Sequence, residues 1–176
     1  MNKFNVLIKH LWLDASDSQR AIPPDMAKRL AERVAASEQR HSGQIRLCVE
    51  SSLPASYVWR LDRESTLSAL IRQRAVMMFG KLRVWDTEHN NGVLIYLLLA
   101  EHAIEIVADR ALTRHIDDAQ WQAMVARMAS AFREQRYEDG LSQAIDETSA
   151  VLVAQFARTD ASSGHPNELP DTPHLA

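Results

Sequence analysis

One cysteine, Cys48, occurs in 176 residues. A lone thiol excludes an intrachain disulfide and any zinc site built on several cysteines. Glycine is scarce too: there are five, and none forms a glycine-rich loop ahead of a helix, so a phosphate-cradling loop is excluded. No Gly-x-Ser-x-Gly segment exists, which removes the nucleophile-elbow hydrolases. The seven histidines never stand at i, i+3 or i+4 of one another, so local spacing gives no zinc site. Neither sign of charge dominates. Lys and Arg number 20 against 23 Asp and Glu, a net −3 with pI about 6.2. That balance argues against a nucleic-acid partner held by phosphate neutralisation. The longest apolar run, Val93 to Ala100, falls far short of the roughly 20 residues that span a bilayer. Lys9 and His10 interrupt the apolar N-terminus and no small-residue cleavage site follows. The expectation is therefore no signal peptide, no membrane span and a cytoplasmic location.

What is present reads as a globular domain: 46% of residues are hydrophobic and 24% charged. Glycine and proline punctuate the chain, with Gly43, Gly80, Gly92 and Gly140 expected at turns and caps. Met26, Leu30, Ala31 and Val34 follow helical spacing after the start signal Pro23-Pro24-Asp25, with Gly43 as the stop. Gln44 to Glu50 alternates as a strand. Leu67, Leu70, Ile71, Ala75, Met78 and Leu82 form the stripe of a long helix. Val93 to Leu99 is continuously apolar, the pattern of a strand buried on both faces. Ile104, Ile106 and Ala108 give a third strand, joined to the second as a hairpin through Glu101-His102. Trp121, Met124, Val125, Met128 and Phe132 mark a helix with Asp118 as its cap. Leu141, Ile145, Thr148, Leu152 and Phe156 mark the last one. Residues 4 to 13 lean to helix.

A strand buried on both faces needs helices on each side. The predicted fold is therefore α/β: a three-layer α/β/α sandwich around a small mixed sheet with a β-hairpin and long flanking helices. The crossover through the second long helix makes the first two strands parallel, and the hairpin returns the third antiparallel. Asp86, Thr87, Glu88, His89, Asn90 and Asn91 then share one sheet edge with Asp109, Arg110, Arg114, His115, Asp117 and Asp118. Glu50, Ser51 and Ser52 end at the opposite edge.

Within this frame Gly80 to Leu112 resembles the centre of the TPM domain family. Asn90-Asn91-Gly92-Val93-Leu94 is similar to the family's loop-plus-strand signature, and Ile104 to Arg110 to the strand that follows. Phe132 to Ile145 resembles its closing pattern, and Pro166-Asn167-Glu168-Leu169-Pro170-Asp171 the end of a soluble bacterial subgroup. The family takes in photosystem II repair proteins and a thylakoid acid-phosphatase-like domain. The resemblance implies an α/β/α sandwich and, from relatives so described, acid phosphatase activity or calcium binding. Where many relatives carry Gly-x-Gly after the third strand, this chain has Ala108, Asp109 and Arg110. One TPM-like domain is expected over 1–157, with 1–20 an extension packed on it and 158–176 an extended or disordered tail.

Two function classes follow. The favoured one is a non-catalytic accessory or binding module that takes a divalent cation, Ca2+ or Mg2+, on Asp86, Glu88, Asn90, Asn91 and Asp109, all oxygen donors suited to a hard ion. It acts with a protein partner, peripheral association with a membrane protein included. The alternative is a metal-assisted phosphatase for phosphomonoesters, with Asp109 and Arg110 as catalytic candidates and Arg110 or Arg114 holding the phosphate. Each residue also has a structural reading. Asp109 suits a surface ion pair or turn cap, and Asp86 with Glu88 a turn cap. Asn90 and Asn91 suit left-handed loop positions, and Asp117-Asp118 a helix cap. Cys48 alternates within a strand as an inert buried thiol, and the four tryptophans read as core or lid residues. The proline-rich tail has two readings as well: a frayed terminus, or an extended segment docked on its own domain or a partner with Leu169 as anchor.

Overall fold

The computed structural model describes residues 3–61, 66–114, 116, 118–158 and 167–176. Helices α1 (Lys3–Trp12), α2 (Ala15–Ala21) and α3 (Pro24–Glu38) lead into strand β1 (Gln44–Glu50). Helices α4 (Ala55–Val58) and α5 (Leu67–Lys81) precede β2 (Gly92–Leu98) and β3 (Ala103–Ala108). After them come α6 (Arg110–Thr113), α7 (Asp118–Arg133), α8 (Tyr137–Phe156) and the short β4 (His174–Leu175). Local chemistry sets several of these starts. Asp14 and Asp17 form a reciprocal capping box on α2, Pro24 opens α3 where its missing N–H costs nothing, and the Thr66 hydroxyl caps α5.

The sheet runs in the order β3-β2-β1-β4. β1 pairs parallel with β2, as the crossover requires, and β3 pairs antiparallel. A 3-10 turn over Leu99–Glu101 and a left-handed His102 (φ 49°) make the hairpin. Alternation along the strands splits the core in two. Ile45, Leu47, Val49, Val93, Ile95, Leu97, Ile104 and Ile106 pack with α3, α7 and α8. Cys48, Leu94, Tyr96, Leu98 and Val107 pack with α1, α4 and α5 on the other face. Every residue of β2 is buried, which is why its apolar run is unbroken. Burial pushes the Cys48 thiol up to about 12, so it stays protonated.

Several local readings are revised. Gly140 lies inside α8, not at a cap: a Cβ there would sit 2.6 Å from Phe132 Cζ, so glycine lets the α7 ring pack against α8. Gly80 lies inside α5, and α3 ends at Glu38, ahead of Gly43. Trp121 is buried, whereas Trp12, Trp59 and Trp85 are 83%, 65% and 49% exposed. Asp118 opens α7; its side chain and the residues Asp117 and His115 lie outside the described set.

Residues 167–176 lie on their own domain. β4 pairs parallel with β1 (Cys48 with His174, Val49 with Leu175), and Leu169 is 5% exposed in the α5-side core. Arg46 donates to the carbonyls of Pro170 and Thr172, and Gln44 Oε1 accepts from the N–H of Glu168 and of Leu169 at 3.0 and 3.1 Å. Among the described residues no helix is long and apolar enough to cross a membrane.

Candidate functional site

The amino ends of β1 and β2 and the carboxyl end of β3 meet at one rim of the sheet. Gly92 is required there because a Cβ would lie 2.1 Å from the Val84 carbonyl oxygen, so the approaching loop closes directly onto the strand. Asn90 takes a left-handed conformation (φ 52°), which asparagine tolerates. Two backbone hydrogen bonds tie this loop to the end of β3: Asp109 N–H to Gly92 O at 2.9 Å, and Ala111 N–H to Asn90 O at 3.1 Å. The rim expected from topology therefore forms, and it brings together Asn90, Asn91, Asp109 and Arg110.

Their side chains divide into satisfied and unsatisfied groups. Arg110 donates from Nε to Asn90 Oδ1 at 3.0 Å and leaves its fork on that amide. Asp109 caps α6, its Oδ1 accepting from the Arg110 N–H at 2.6 Å. Its Oδ2 is buried and, among the described residues, has no hydrogen-bond partner. Asn91 is fully buried; its N–H donates to Thr87 Oγ1 and its Nδ2 to Ser42 Oγ, both at 3.2 Å. Among the described residues its Oδ1 has no partner either. A buried acceptor left unpaired costs about 1–3 kcal/mol, so at these two atoms, on adjoining segments, a bound donor, water or cation would be stabilising.

Asp86 and Glu88 do not join Asp109. The Asp86 carboxylate is taken up by Arg83 at 2.5 Å, and both residues of that pair are exposed. Glu88 is exposed, and its backbone N–H donates to Glu168 Oε2 at 2.8 Å. Arg114 is exposed and ends α6. Among the described residues, no group of three or more His, Cys, Asp or Glu side chains is placed to hold a metal ion. The oxygen donors along the rim are amide and carboxylate groups, not a carboxylate cluster.

Beside the rim lies a second polar group that sequence reasoning missed. A cavity of about 180 Å³ is lined by Glu38, His41, Ser42, Gln44, Asn167 and Asp171. Glu38 Oε1 accepts the Ile45 N–H at 2.7 Å. Burial, and after it the charges of Asp171 and Glu168, push its carboxyl up to about 8. His41 is held down to about 4 by burial, its ring bridging Ser37 Oγ (2.9 Å) and the Gly43 carbonyl (3.1 Å). Nothing in local spacing could reveal this group, because the docked tail brings Glu168 and Asp171 to it.

No curated protein matches the chain. Among solved structures, the NMR structure of BA42 protein from the psychrophilic bacterium Bizionia argentinensis is similar, with TM-score 0.69 and 22% identity over 87% of this chain and 94% of that one. At that identity the likeness concerns the fold. The model of the TPM domain matches residues 15–151, a span that holds all three long strands and the Asn90-Asn91-Gly92 rim, so the chain belongs to the TPM domain family.

Proposed function

We propose that the chain is a non-catalytic binding module that takes a divalent cation, Ca2+ or Mg2+, at the β2–β3 rim and works with a protein partner. The observation that carries this reading is the pair of buried oxygens, Asp109 Oδ2 and Asn91 Oδ1, unpartnered among the described residues and lying on two segments tied by backbone hydrogen bonds. Hard cations are bound by carboxylate, amide and carbonyl oxygens, and these are the groups on offer. Asp109 and Asn91 would hold the ion, with water completing its shell. Bound there, it would supply positive charge and fix the loop against the end of β3. Arg110, committed to Asn90, positions that loop and is not offered to a phosphate.

An amide NMR titration with CaCl2 and with MgCl2 tests the reading. Shifts confined to residues 86–92 and 109–114, lost in Asp109→Asn, are expected. Shifts nowhere in the molecule would overturn it. Cation-dependent turnover of a phosphomonoester that disappears in Asp109→Ala, with the fold intact, would replace it by the phosphatase reading.

A further inference from the structure

β3 is an edge strand, and its free side has a definite hydrogen-bonding character. Asp109 donates to the directly opposed Gly92. In an antiparallel ladder such bonded pairs alternate with unbonded ones. With Val93 opposite Ala108, Ile95 opposite Ile106 and Leu97 opposite Ile104, the backbone groups of Ala108, Ile106 and Ile104 point away from β2. Among the described residues no other backbone meets them; Arg72 Nη1 alone reaches the Ile106 carbonyl, at 2.6 Å.

A groove of about 610 Å³ follows this side. Arg72 of α5 and its cap Thr66 form one wall, Trp121, Gln122 and Val125 of α7 the other, and Glu105 of β3 lies between them. Two of its side chains are donors only, Arg72 and, through its indole, Trp121. Trp121 is 6% exposed and, among the described residues, its indole N–H has no acceptor. Arg72 carries five N–H donors in a fixed fork. Nη1 serves Ile106 and, at 3.3 Å, Glu105. Burial raises the Glu105 carboxyl, and Arg72 beside it pulls it partly back down.

We propose that the β3 edge is the docking surface for an extended peptide segment of a partner protein, which adds as a fifth strand between α5 and α7 and brings an acidic side chain to Arg72. A strand is the element that meets N–H and C=O groups repeating every second residue, and strand addition is a general mode of peptide capture. The donor-only groups at Arg72 and Trp121 select carboxylate over ammonium side chains. Until a strand arrives, Arg72 on the Ile106 carbonyl keeps the edge from pairing indiscriminately. The inference rests on the reading of the chain as a binding module but needs no cation, since the groove runs along β3 and the rim oxygens lie beyond its end.

The test uses the full chain and two end-blocked nine-residue peptides, one alternating valine with glutamate and one alternating valine with lysine. The valine–glutamate peptide is expected to shift and protect the amides of Ile104, Ile106 and Ala108 and to move the Trp121 indole resonance. Arg72→Glu should weaken it at least tenfold and favour the lysine peptide. Ala108→Pro, which removes an outward N–H and leaves the β2 ladder whole, should weaken both peptides at least tenfold. Three results overturn the proposal: no shift at these positions at millimolar peptide, equal affinity for both peptides, or unchanged affinity in the two variants. A mass that doubles with concentration in sedimentation, with the same amides protected in the absence of peptide, would assign the edge to a second copy and overturn it too. The cation titration reads different resonances, so either proposal can fail alone.

Discussion

Arg74 on α5 and Glu50 at the end of β1 form an ion pair inside the molecule, with side chains 12% and 6% exposed. Arg74 Nε donates to Glu50 Oε2 at 2.8 Å, and the fully buried Tyr96 donates its hydroxyl to the same oxygen at 2.7 Å. The carboxylate thus joins a helix, the first strand and the central strand. Removing one partner of such a pair strands the other charge in a poor solvent. Glu50→Ala should therefore cost about 3–5 kcal/mol and Tyr96→Phe about 1.5–3 kcal/mol, read from urea midpoints. A cost below about 1 kcal/mol for Glu50→Ala would show that Arg74 finds water instead.

Glu38 and His41 impose opposite pH dependences. Glu38 is raised from 4.5 to about 8, so between those values the folded chain keeps a proton that the unfolded chain has released, and stability falls as pH rises. His41 is lowered from 6.5 to about 4, so in that range the unfolded chain holds the extra proton and stability falls as pH falls. The two slopes oppose each other below 6.5, and above it Glu38 acts alone. Stability should decline by up to about 2 kcal/mol from pH 6.5 to 8, and Glu38→Gln, whose amide oxygen can still accept the Ile45 N–H, should flatten the decline. Equal slopes in the two proteins would sink this assignment.

Deleting residues 167–176 removes β4, the Arg46 and Gln44 contacts and Leu169. Leu169→Ala alone should cost about 2–4 kcal/mol, because the side chain is core and leaves a cavity. At about 2–4 °C per kcal/mol for a chain of this size, thermal melting should drop by several degrees. Unchanged melting would mean that the segment contributes nothing in solution.

Gly92→Ala should be among the most damaging single changes, since the added carbon meets the Val84 backbone and not a movable side chain. Circular dichroism should show loss of the cooperative transition or a destabilisation above about 3 kcal/mol. Gly80→Ala meets nothing within 4 Å and lies in a helix, so it should stabilise by about 0.5–1 kcal/mol.

The strands were legible because their signals are local. Alternation over Gln44–Glu50 and the unbroken apolar run after Gly92 locate β1 and β2, and crossover handedness orders them. From that order alone the Asn90, Asn91, Asp109 and Arg110 rim could be placed. The two-residue β4 has no periodicity to detect, and α2, α4 and α6 are too short for a stripe. Glu38, Gln44 and Asp171 were invisible as a group because tertiary docking, not spacing, assembles them. Gly140 misled for a similar reason: its role is set by an aromatic ring on another helix.

The docking of β4 on β1 also has a kinetic meaning. Arg46 and Thr172 stand 126 positions apart, so closing that contact costs far more chain entropy than forming the β2–β3 hairpin. β1 must already be fixed against β2 before it can template a two-residue strand. Docking is therefore expected as the last event of refolding, after the rate-limiting barrier. In stopped-flow chevrons Leu169→Ala should leave the folding limb in place and raise the unfolding limb, whereas Leu47→Ala in β1 should slow folding itself.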